Sequence, residues 1–146
     1  MDMGELPLRA VGTVGLTAAP SADVTSSGII TALTAGENLV FGEVCYIAST
    51  GKALKADADA IATSSAIVMA LATIAADASG NFILHGIARN DALAWTVGGL
   101  IYLSTTAGAL TQTAPSGTDD VVQILGVATH ADRMYFNPQL VQVERV

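Results

Sequence analysis

Two stretches of this 146-residue chain repeat one another without a gap: GEVCYIASTGKAL at 42–54 and GGLIYLSTTAGAL at 98–110. A shift of 56 positions brings Gly42 onto Gly98, Tyr46 onto Tyr102, Thr50 onto Thr106 and Ala53–Leu54 onto Ala109–Leu110. The apolar positions between them also correspond, Val44 with Leu100, Cys45 with Ile101 and Ile47 with Leu103. Two copies are too few for a solenoid, so the pattern predicts a duplicated unit forming two halves of one body. Gly42, Tyr46 and Leu54, with Gly98, Tyr102 and Leu110, are the expected structural core of that repeat.

Val, Ile, Thr and Tyr dominate both copies, which favours strands. The expectation is an all-β, mainly antiparallel fold: two half-units, about 36–90 and 92–138, in a compact barrel- or sandwich-like body spanning 29–146. Gly51 or Gly108 supplies the permissive backbone of each first turn. Asp77-Ala78-Ser79-Gly80 and Ala131-Asp132-Arg133 read as short hairpin links. Ser26-Ser27-Gly28 and Pro115-Ser116-Gly117 read as breaks. Residues 52–67 leave two readings open, a short alanine-rich helix or an irregular loop.

An exposed antiparallel strand should alternate apolar with polar residues. Val44-Cys45-Tyr46-Ile47 and Leu100-Ile101-Tyr102-Leu103 do not, so each strand is expected to be covered on both faces. The tyrosines are expected to share a face and send their hydroxyls to a rim. The segment 1–28 lies outside the repeat and reads as an extended N-terminal arm. Its loosely alternating apolar residues can add to a partner's sheet edge or cap the domain's own edge. Leu6, Leu8, Arg9, Val11 and Val14 are its candidate contact residues.

Composition narrows the function. Thirteen acidic and six basic residues give a net charge of -7, and the six are scattered, which disfavours nucleic-acid binding. Charged residues make up 13% against about a quarter in an average protein, so part of the surface is expected to face partners. Asp2 and Glu5 do not suit a secretory signal, and the apolar run 60–76 is broken by Ser and Thr, so no membrane span is expected. Cys45, between Val44 and Tyr46, reads as a small core residue.

Catalytic signatures fail on inspection. ASTGKAL at 48–54 resembles the end of a phosphate loop, but Tyr46 stands where its first glycine belongs and Ala53 where Ser or Thr must follow the lysine. DADAIA at 57–62 begins like a calcium loop, then puts Ile61 at its third ligand position. No Gly-x-Ser-x-Gly elbow occurs. His85 and His130 have no partner at metal-ligand spacing and do not coincide under the repeat. Trp95 offers a sugar-stacking platform, or a core or subunit contact. No enzyme activity, metal or cofactor is expected.

The repeated pattern with its STGKALKADADA and STTAGALTQTAPSG continuations resembles small virion proteins of tailed bacteriophages: capsid decoration or cement proteins and related head-fibre bases. TAGENLVFGEVCYI and LGVATHADRMYFNP carry the same likeness, which covers about residues 32–138. The resemblance implies a β module, a homo-oligomer with the trimer favoured, on the outer surface of the virion head after assembly in the host cytoplasm. Its partner would be the major capsid protein, reached through the N-terminal arm, and its task to hold the shell against internal DNA pressure. A fibre-type module binding a receptor or glycan is the competing expectation; a surface cluster of Trp95 with Tyr135 would favour it.

Overall fold

A computed structural model describes residues 13–146 and is nearly all antiparallel β. In chain order the strands are β1 (Thr25–Thr34), β2 (Val44–Ile47), β3 (Ala53–Lys55), β4 (Val68–Ala70), β5 (Ser79–Arg89) and β6 (Leu100–Leu103). Then follow β7 (Leu110–Thr111), β8 (Val121–Val122), β9 (Ile124–His130), β10 (Arg133–Phe136) and β11 (Val143–Glu144). A single helical turn, α1 (Ile61–Ser64), is all that the alanine-rich stretch 52–67 gives to helix. It has no side-chain N-cap and no charge placed against its dipole.

Eight strands form the path β3-β2-β4-β5-β10-β9-β6-β7, with β1 attached to β5; β8 and β11 make a separate ribbon. The path reads alike from both ends: hairpin, return strand, then inner strand. Backbone hydrogen bonds repeat with it. Leu39 N donates to Ile74 O as Trp95 N does to Ala131 O, and Gly42 N donates to Ala70 O as Gly98 N does to Ala128 O. Gly42 and Gly98 carry φ of +91° and +81°, which explains why glycine recurs there.

The alignment slips by one residue at the first turn. Five residues (48–52) join β2 to β3 and six (104–109) join β6 to β7. Gly51 and Gly108, at φ +79° and +76°, are therefore the matching turn glycines, although they do not meet under the 56-residue shift. Beyond the turn Tyr46 faces Leu54 but Tyr102 faces Thr111, while Leu110 pairs with Leu103. Leu54 and Leu110 are thus not structural counterparts.

Strand β5 is shared. It pairs with β1 over its whole length, with β4 at Phe82–Ile83 and with β10 at Gly86–Arg89. It closes the first unit and opens the second. Strand β1 begins at Thr25, inside the segment read as an arm, and residues 25–34 cap the domain's own edge. Ser26-Ser27-Gly28 is accordingly strand, not a break. The link to β5 also differs from the short turn expected: Ser79 and Gly80 belong to β5, and residues 71–78 make a longer excursion anchored by a Leu39–Ile74 bridge. Ala131-Asp132 is the tight link expected.

Two clusters fill the interior. One gathers Leu39, Cys45, Val68, Ala70 and Phe82 within the first unit. The other joins Val44, Met69 and Ile83 of the first unit to Ile101, Leu103, Leu125, Met134 and Phe136 on the second. Burying each large apolar side chain contributes about 1.5–3 kcal/mol before entropy is counted. Backbone bonds from Gly108 N to Ala56 O (2.7 Å) and Ala58 N to Ser104 O (2.9 Å) tie the two ends of the curled sheet.

Where β1 crosses β5, Gly28 faces Gly86. A Cβ on Gly86 would stand 2.6 Å from the Gly28 Cα and run into the Ser27 carbonyl, and its φ of +150° adds strain. Gly51 also has positive φ but open space around it. Gly86→Ala is expected to cost about 3 kcal/mol or more, and Gly51→Ala about 1–2 kcal/mol. Urea unfolding of the two variants checks this; equal costs would mean the crossing is not tight.

Candidate interaction surfaces

The matched strands differ in their surroundings. In β2, Val44 and Cys45 are both fully buried, one in each cluster, so both faces are covered there as expected. In β6 only Ile101 and Leu103 face the core. Leu100 is 41% exposed and Tyr102 half-buried, so the second strand is covered on one face only. Tyr46 packs on the core formed with the sister unit, while Tyr102 lies on the side away from it. The tyrosines occupy matching positions on their units without sharing surroundings.

A cleft of about 290 Å³ opens where the units meet, lined by Phe41, Met69, Ala88, Leu93, Trp95 and Met134 among others. Trp95 takes the place of Leu39 under the repeat and packs against the core. Its indole Nε1 is buried without a hydrogen-bond partner. Arg89 and Glu43 also border the cleft. Glu43 is bound to Lys55 Nζ at 2.9 Å, and this hydrogen bond raises the Lys55 pKa despite the opposing effect of burial.

A charged cluster lies at the His130 turn. Arg89 Nε meets Asp91 Oδ1 at 2.6 Å, a hydrogen bond that raises its pKa. Asp132 receives Arg133 Nε at 2.9 Å and contacts His130 Nδ1 at 2.6 Å. Desolvation opposes ionisation of Asp132, but the bonds from Arg133 and His130 outweigh it and hold the carboxyl below the ordinary range. His85, inside β5, has its ring nitrogen hydrogen-bonded to the Tyr135 hydroxyl. Their rings meet edge-on, 5.1 Å apart. Each histidine is thus engaged locally, 45 residues from the other. Among the described residues no three His, Cys, Asp or Glu side chains gather as a metal site would require.

Of the arm, Leu6, Leu8, Arg9 and Val11 lie outside the described residues, and Val14 is 65% exposed. The stretch that follows is fastened to the body. Thr17 N donates to Ser27 Oγ at 2.8 Å, Arg89 Nη1 to Pro20 O at 2.9 Å and Asp91 N to Asp23 Oδ1 at 2.7 Å. Strand β1 runs TSSGIITALT without a charge, pairs only with β5 among the described residues, and exposes Ile29 and Ile30. The far end of the chain exposes more: Leu140 is 79% and Val141 82% accessible. Sequence reasoning missed this end; the run Leu140-Val141-Gln142-Val143 was its signal, because Gln142 turns inward to Ser64 and Ser65 and so turns the flanking valines out. Among the described residues no helix is long and apolar enough to cross a membrane.

Comparison with protein-family models, with curated proteins and with solved structures finds no match for the chain.

Burial pushes the Cys45 thiol up to about 12, with Glu43 adding to the effect. Only roughly one thiol in ten thousand is then ionised at pH 8, so a thiol reagent is expected to leave native protein unmodified and to label it on unfolding. Rapid labelling of folded protein would contradict this placement. The lowered Asp132 pKa stabilises the fold above the unfolded carboxylate value, near pH 4, and that contribution fades as pH falls through the lower folded value. Asp132→Asn is therefore expected to lower the unfolding midpoint at pH 7 and to change it less at pH 2.

Proposed function

We propose that this chain is a structural protein of a tailed-phage virion, a decoration or cement protein that grips the outer surface of the head. The carrying observation is apolar surface left unpartnered on a charge-poor β body: uncharged β1 with Ile29 and Ile30, and the Leu140–Val143 end. Edge strands of that length and composition invite pairing or aggregation on their free side unless a partner covers it. The sequence resemblance to cement proteins and head-fibre bases favours the major capsid protein as that partner. On a repeating shell, many modest contacts add up to tight holding against DNA pressure, because each bound site raises the effective concentration at the next.

The fibre-type reading loses its discriminating feature. Trp95 packs toward the core, whereas Tyr135 pairs with Ile87 and Val127 on the face of β10 opposite core-facing Met134. The two aromatics do not converge on a rim. The arm retains its role in the proposal, with its root at Thr17, where the Ser27 hydrogen bond fixes it to the body.

Heads of the encoding phage, stripped of this protein, provide the test. The full chain is expected to co-sediment with them to saturation and to raise the temperature at which they release DNA. Removal of residues 1–16, which spares β1, should weaken binding at least tenfold while leaving the unfolding midpoint unchanged. Failure of the full chain to co-sediment would overturn the proposal.

A further inference from the structure

In the first unit, Val44, Met69 and Ile83 stand side by side across β2, β4 and β5. All three are at most 1% exposed, because the second unit covers them. The matching row in the second unit is Leu100, Val127 and Tyr135 across β6, β9 and β10. No segment among the described residues buries that row: Leu100 is 41% exposed, and Val127 and Tyr135 are half-buried. The units are thus stacked head to tail, and such stacking leaves one end face without its neighbour. A terminal unit meant for water carries a polar outer face. This one is apolar, and Tyr102 and Ile124, paired beside the row, extend it.

We infer that a second copy of this chain covers this face, the two outer faces of the second units meeting back to back. The first unit shows that a row in this position is suited to burial against β-sheet, since Val44, Met69 and Ile83 pack against the second unit. Charge favours self-association at this place over others on a chain of net charge -7. The row and its flanking Tyr102 and Ile124 carry no charged residue. The rim beside it sets Arg89 and Arg133 among Asp23, Asp91 and Asp132, a nearly neutral border on a strongly acidic chain, so like-charge repulsion between two copies is weaker here than elsewhere. An apolar centre with tyrosines and a polar rim holding arginine is the usual make-up of a protein interface. This inference stands apart from the virion reading and survives if that fails.

Sedimentation velocity of the full chain from about 1 to 100 µM is the test. The wild type is expected to exceed monomer mass. Leu100→Asp places a charge in the contact and should weaken association on the order of 100-fold, with Leu100→Ser intermediate. Leu100 is partly exposed, so both variants should keep the wild-type unfolding midpoint. A monomeric wild type overturns the inference, as does an oligomer indifferent to Leu100. Should the wild type be monomeric and a chain lacking residues 1–12 associate, the chain's own N-terminal segment is the cover and the inference is likewise overturned.

Discussion

Strand β5 must serve three neighbours with two edges, and the rest of the molecule follows from how it does so. Strand β1 occupies one edge from Ser79 to Arg89, and β4 and β10 divide the other. The division works because β5 is long and irregular: the register with β1 shifts between Ile29 and Ile30, leaving Leu84 without a partner. Such an extra residue bends a strand and increases its twist. The bend turns the second unit away from the first, so that the sheet curls instead of extending flat. At the bend Gly86 stands between Gly28 and Phe136, and a side chain there would force β1 off the sheet.

Sharing one strand also sets how the units face each other. If each had its own closing strand, the two could pack through like faces about a twofold axis. With β5 common to both, the outer face of the first unit becomes a wall of the second unit's interior. Val44 and Met69 therefore lie in the same cluster as Ile101 and Met134. The same sequence pattern then meets different surroundings. Cys45 sits in the closed interior of the first unit beside Phe82, whereas its counterpart Ile101 sits in the common core.

Strand content and turn glycines were legible because they depend on local pattern. Gly51 and Gly108 mark turns by their backbone alone, Cys45 is buried by its apolar neighbours, and Ala131-Asp132 is short enough to dictate a hairpin. What eluded the pattern depends on partners distant in sequence. Ser26-Ser27-Gly28 looks like a break, yet the glycine is there for close approach to Gly86, 58 residues away. The extra residue in the second turn is invisible to an ungapped match, so Leu54 and Leu110 align in sequence and diverge in space. The uncovered row on β6, β9 and β10 could not be foreseen, since covered and uncovered strands read almost alike. Its exposure follows from head-to-tail stacking, a property of the assembled units.

Charge completes the account of what such a surface can hold. Lys52, Lys55, Arg89 and Arg133 are each engaged with a carboxylate of the same chain, which leaves Arg145 as the one cation outside an ion pair among the described residues. The folded body therefore presents acidic groups and apolar strands, with little positive charge free to meet a polyanion. Association driven by burial of Leu100 or Val141 weakens little with added salt, whereas exposed ion pairs are screened within about 10 Å at 0.1 M. Apolar contacts also tolerate small shifts in register better than paired charges do, because they have no fixed geometry to satisfy.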